Sequence, residues 1–146
     1  MAMDDTTVVV DASVVAKWYL PEKHHLKARQ LRDRFLDGSV DLTAPSVLPY
    51  EVLNALQYSQ QFDENQLSLA AETLPRYGIE LVPFSQVEKL VSTAYSIENT
   101  IFDASYVALA AARAATLYTA DQKLIAGTAG TEYETSVRHV RSVPSA

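Results

Sequence analysis

Four acidic side chains stand where apolar runs end or turn inward: Asp11, Glu51, Asp103 and Asp121. Asp11 closes Val8-Val9-Val10, and Asp121 follows Leu117-Tyr118-Thr119-Ala120. Glu51 interrupts the apolar stretch of Val47, Leu48, Val52, Leu53 and Leu56, and Asp103 opens the run from Ala104 to Ala110. A carboxylate on a buried face is costly unless it is paired, hydrogen-bonded or bound to a cation. If the fold gathers these four, their repulsion demands a hard cation with oxygen ligands. Soft ligands do not compete, because the chain has no cysteine. Its three histidines, His24, His25 and His139, lack ligand spacing and a nucleophile partner, and read as surface residues. The donor set therefore favours Mg2+ or Mn2+ over zinc. One such ion, or two about 4 Å apart, activates water and stabilises charge on a phosphodiester oxygen.

Each acid also has an ordinary reading. Asp11, Asp103 and Asp121 suit helix N-caps, where a carboxylate accepts orphan backbone N–H bonds. Glu51 lies among Val47, Leu48 and Ala55 at helical spacing, which suggests an inward face, with Asn54 about one turn on. It would otherwise pair with a buried arginine or reach solvent past the apolar surface. Ser13, two residues after Asp11, is placed to hydrogen-bond a carboxylate or serve a turn. Thr119, two before Asp121, is placed likewise, although β-propensity also explains it. Lys123 is a candidate phosphate contact or a solvated helix residue.

The elements that must position these groups follow from periodicity and breakers. Residues 8–10 read as a short buried strand, being continuous and β-branched. A short helical run over 14–20 is stopped by Pro21. A helix over 22–36 has Leu26, Leu31 and Phe35 as inward positions. Strands are expected over 40–43, 79–82 and 116–119, with a last edge strand over 138–143. Further helices are expected over 46–58, from the Asp63 cap to Leu74, over 86–97 behind Ser85, over 103–115, and over 122–126 ending at Gly127. Strands alternating with helices argue for an α/β fold, a parallel sheet covered on both faces. In such sheets sites lie beyond the carboxyl ends of strands where strand order reverses. Asp11 and Asp121 suit that location, provided their strands are neighbours.

Composition narrows the function further. The 146 residues suit one domain, 1–146, with its core over about 7–143. Absence of cysteine excludes disulfides and is compatible with a reducing cytoplasm, the expected location. The start Met1-Ala2-Met3-Asp4-Asp5 is acidic where a secretory signal would be basic. No apolar run reaches the roughly 20 residues of a membrane span, so no membrane association is expected. A formal charge of −6 counts against holding nucleic acid through bulk charge alone. It leaves room for a nuclease, because cation-loaded carboxylates attract phosphate. The basic stretch Lys23, His24, His25, Lys27, Arg29, Arg32 and Arg34 is either a solvated helix face or a substrate track. With four glycines and no Gly-rich phosphate loop, dinucleotide and P-loop chemistry is disfavoured.

In order and separation, four segments resemble the PIN-domain family, and within it the VapC-type toxins of toxin–antitoxin pairs. They are Val-Val-Val-Asp11-Ala-Ser-Val-Val-Ala-Lys-Trp; Ala-Pro-Ser-Val-Leu-Pro-Tyr-Glu51-Val-Leu-Asn54-Ala-Leu; Phe-Asp103-Ala-Ser-Tyr-Val-Ala-Leu-Ala; and Leu-Tyr-Thr-Ala-Asp121-Gln-Lys-Leu. The resemblance covers about residues 8–125. It implies a five-stranded, mainly parallel sheet with helices on both sides. It also implies a Mg2+- or Mn2+-dependent endoribonuclease in which Asp11, Glu51, Asp103 and Asp121 match the acidic positions, supported by Ser13 and Thr119. By that likeness an activated water attacks RNA in line, leaving a 5′-phosphate and a 3′-hydroxyl. The resemblance further implies a homodimer inhibited by a cognate VapB-like antitoxin. Where some relatives carry a further acid after the last Asp, Ile125 and Ala126 stand here.

Two other functions compete. A non-catalytic PIN-like scaffold would bind a partner helix through aromatics such as Trp18, Tyr50, Tyr58 and Tyr95. A phosphohydrolase of small esters would use Asp11 as nucleophile.

Overall fold

The computed structural model describes residues 6–145. The acidic start read above, Met1 to Asp5, and Ala146 lie outside the described residues.

Among the described residues five parallel strands form one sheet in the order β3-β2-β1-β4-β5. They are β1 (Thr7–Val10), β2 (Asp41–Pro45), β3 (Glu80–Val82), β4 (Thr116–Thr119) and β5 (Val137–His139). Seven α-helices connect or flank them: α1 (Ala12–Val15), α2 (His25–Leu36), α3 (Leu48–Tyr58), α4 (Glu64–Thr73), α5 (Leu90–Ile97), α6 (Ile101–Arg113) and α7 (Gln122–Thr128). β1 lies at the centre, with Val8 opposite Leu42 on one side and opposite Thr116 on the other. Successive strand side chains point to opposite faces. Val8, Val9 and Val10 are all buried, so both faces of the centre are covered. The α/β reading, with helices on both sides, is what the chain adopts.

Local sequence explains most boundaries. Pro49 sits in the first turn of α3, where a missing N–H costs nothing. Asp63 and Gln66 form a reciprocal capping box at α4. Thr100 caps α6 by accepting from the Asp103 N–H, so Asp103 stands inside the first turn and is not the cap.

Other boundaries differ from expectation. The second helix begins at His25, because His24 is left-handed (φ 68°) and cannot continue a right-handed turn. Its buried face is set by Ala28 and Leu31; Leu26 falls off that face and is exposed. The run after Ser85 is broken at Lys89 (φ 58°), leaving a 3-10 turn over Phe84–Gln86 and a separate α5. The last strand is shorter and earlier than read, and Val140–Ser142 turns away as 3-10 helix. Gly127 does not end its helix but lies inside α7. A Cβ there would stand 2.8 Å from the Ile97 carbonyl oxygen, so glycine permits α7 to approach the end of α5.

Two surface assignments are also overturned. Trp18 is buried, donating its indole N–H to the Ala28 carbonyl at 2.9 Å and packing its ring 4.9 Å from Tyr77. His139 points inward on β5, where Nδ1 accepts from the Arg141 N–H at 3.0 Å. Burial, then the charge of Arg141, holds that imidazole below its usual pKa. Within the basic stretch, Lys27 donates to the Val143 carbonyl at 2.7 Å and Arg32 pairs with Asp33. The Lys27 bond ties α2 to the C-terminal segment, the Arg32 pair stays within the helix, and both favour the face-of-a-helix reading of that stretch.

Candidate active site

The chain moves outward from β1 through β2 to β3, then returns to place β4 on the other side of β1. The crevice between β1 and β4 is therefore the switch point at which α/β sheets place their sites. The required neighbours are present: Val10 pairs with Tyr118, and the Asp11 N–H donates to the Tyr118 carbonyl at 3.1 Å. Asp11 and Asp121 leave adjacent strands at the same end.

Asp11 is buried and held by two hydroxyls. Its Oδ2 accepts from Ser13 Oγ at 2.6 Å and from Thr119 Oγ1 at 2.7 Å. Ser13 Oγ accepts in turn from the Ala120 N–H at 2.9 Å, and Thr119 Oγ1 from the Asp121 N–H at 3.0 Å. A hydroxyl has one proton. With both protons directed at Asp11, the two hydroxyls link the end of β1 to the end of β4. Burial pushes the Asp11 carboxyl up, the Ser13 and Thr119 bonds pull it down, and the charge of Asp121 raises it again, leaving it above the ordinary value.

Asp121 caps α7, its Oδ1 accepting from the Lys123 and Leu124 N–H groups. The ordinary cap reading thus describes what Oδ1 does. Asp103, in the first turn of α6, is pushed up to about 6 by burial and by the charges of Asp11 and Asp121. Lys123 is exposed and acts on Asp103 in the opposite sense. Glu51 is half-buried on α3, and its Oε1 accepts from the Tyr106 hydroxyl at 2.7 Å. It too is raised, by burial first and then by the charges of Asp11 and Asp103. Asn54 is exposed one turn beyond Glu51 and has no side-chain hydrogen bond among the described residues.

The sequence reading missed Tyr106. It is fully buried and reaches Glu51 across 55 positions of chain. The available signal was its spacing: three residues after Asp103 on one helix, it shares that residue's face. An aromatic in an alanine-rich run otherwise looks like core packing.

Whether these residues suit a divalent cation is a question of donors, charge and spacing. Among the described residues, ion pairs join Lys17 to Glu22, Arg32 to Asp33 and Arg113 to Glu80, and none reaches the four acids. Four oxygen-donor groups of one sign, with Asp11, Glu51 and Asp103 each raised in part by a neighbouring carboxylate and no ion pair to any of the four among the described residues, fit a hard ion. In their present rotamers no three acidic or histidine side chains among the described residues stand close enough to hold one. The acids would therefore need to turn inward onto it.

Comparison with known proteins agrees with this architecture. The PIN domain family model matches residues 8–129. No curated protein matches the chain. The crystal structure of PAE2754 from Pyrobaculum aerophilum is similar, with a TM-score of 0.62 at 23% identity, over 94% of this chain and 85% of that one. At that identity the likeness bears on the fold alone.

Proposed function

Because this chain belongs to the PIN-domain family, one of metal-dependent nucleases, we propose that it is a Mg2+- or Mn2+-dependent endoribonuclease acting as the toxin of a toxin–antitoxin pair. The observation that supports this reading is that Asp11 and Asp121 end adjacent strands at the β1–β4 switch point and share an electrostatic neighbourhood with Glu51 and Asp103, while among the described residues no ion pair reaches any of the four.

When bound, a divalent ion would polarise a phosphoryl oxygen and make water nucleophilic near neutral pH. Asp11, Glu51, Asp103 and Asp121 would hold it. The chain's own contribution is positional. Ser13 and Thr119 fix the Asp11 carboxylate, and the α7 amides fix Asp121. Lys123, exposed at the start of α7, would meet a phosphate entering the crevice. The partners proposed with this reading are an RNA substrate, a VapB-like antitoxin and a second copy of the chain.

The test uses defined RNAs with purified protein. Asp11→Asn and Asp121→Asn are expected to reduce Mn2+-dependent cleavage to the level of the buffer while circular dichroism stays unchanged. Induced expression is expected to arrest growth only with the unsubstituted chain. Cleavage retained in both variants would refute the reading.

The scaffold alternative draws on Tyr50, Tyr58 and Tyr95, each largely exposed, but loses Trp18 to the core. Calorimetric titration with Mn2+ separates the two, since a pure scaffold shows no uptake that depends on the acids.

A further inference from the structure

We infer that Tyr106 is a positioning residue for Glu51, holding one carboxylate oxygen so that the other is presented toward Asp11 and Asp103. The inference rests on the metal-site reading above and adds to it a residue outside the acidic set.

Three observations carry it. The Tyr106 hydroxyl lies 2.7 Å from Glu51 Oε1, and the Tyr106 side chain is fully buried, so the donor reaches the half-buried carboxylate from inside the core. Tyr106 stands one turn after Asp103 on α6, which fixes the relative placement of two acids carried by different helices. The phenol proton goes to Glu51 Oε1, while the Ser13 and Thr119 hydroxyls serve Asp11 Oδ2, so the two acids are held by separate donors.

The choice of side chain has a physical logic. An arginine or lysine in this place would orient Glu51 equally well but would cancel its charge, and with it the attraction for a cation. A phenol orients without neutralising. A tyrosine phenol ordinarily ionises at about pH 10, so at neutral pH it is an uncharged donor. Partners of this kind hold ligating carboxylates in orientation.

The experiment is a double-mutant cycle read by Mn2+ calorimetry without RNA. Tyr106→Phe keeps the ring and removes the hydroxyl; Glu51→Gln removes the ligand charge. Tyr106→Phe is expected to weaken Mn2+ binding about 10-fold. In the Glu51→Gln background the same change is expected to have no further effect, because the tyrosine acts through that carboxylate. Equal losses in both backgrounds, the signature of mere packing, would overturn the inference, as would unchanged affinity in Tyr106→Phe. If Tyr106→Phe does not fold, Glu51→Asp serves: it keeps the charge but draws the carboxylate back from the hydroxyl, and undiminished Mn2+ affinity there overturns the inference. Absence of Mn2+ uptake by the unsubstituted chain would remove the metal reading and this inference together, whereas uptake indifferent to Tyr106 removes this inference alone.

Discussion

Burial and the charges of Asp11 and Asp121 hold the Asp103 carboxyl at about 6, above its ordinary 3.8. A raised carboxyl favours the folded chain when protonated. Its contribution is therefore complete below the unfolded value near 4 and is lost as pH rises through about 6. Asp11 and Glu51 shift in the same direction, while Asp37 and Glu80, lowered by Ser39 and Arg113 respectively, act oppositely at acid pH. Asp103→Asn isolates the group. Without metal, the variant should melt above the parent at pH 7 and lose that advantage by pH 4. The difference should be on the order of 1 kcal/mol once solvent screening of a part-exposed carboxyl is allowed for. Millimolar Mn2+ should raise the parent's melting temperature at pH 7 more than the variant's. A variant that melts below the parent at pH 7 would contradict the repulsion described. At this scale the sequence was only half legible. Asp11 and Asp121 betray themselves by closing apolar strands, and Ser13 and Thr119 by their spacing of two. Tyr106 does not, because a buried phenol and a core aromatic look alike until the partner across the fold is known.

Elements were readable where apolar patterning alone decides them and unreadable where a single residue breaks the chain direction. β1, β4 and α3 follow from β-branched runs and a proline in the first turn. The starts of α2 and α5 rest on left-handed His24 and Lys89; neither is the glycine that usually marks such a turn, and of the two only histidine is enriched in that conformation. Gly127 misled in the opposite sense, since a glycine near a helix end suggests a C-cap. Its role is contact, and that gives a prediction. Gly127→Ala would press a methyl against the Ile97 backbone oxygen, which cannot rotate away. Destabilisation of about 1–3 kcal/mol is expected from such overpacking, measurable by urea denaturation. A neutral result would mean that α7 can shift from α5 without cost.

At the scale of the molecule, the site adjoins a strongly apolar surface. A cavity of about 130 Å3 is lined by Val47, Val82, Phe84, Val87, Ile101 and Phe102. Val47 is one turn before Glu51, and Phe102 is next to Asp103. Phe84 and Phe102 are largely exposed, as are Val91 and Tyr95 on α5. Exposed apolar side chains beside a cavity suit a protein–protein interface. The homodimer proposed above would cover it. Light scattering should give twice the chain mass for the parent and a shift toward monomer for Phe84→Glu combined with Phe102→Glu. A parent that is monomeric at high micromolar concentration would refute that pairing. Among the described residues no helix is long and apolar enough to cross a membrane.

The sheet order has a temporal consequence. β1 is made first but receives its second neighbour only when β4 emerges, more than a hundred residues later. Until then one edge of the central strand is bare, and Asp11 lacks both Thr119 and Asp121. A nascent chain on the ribosome therefore carries no assembled acidic cluster before residue 121 has been translated, and the cleavage proposed above would be closed to any chain still short of that residue.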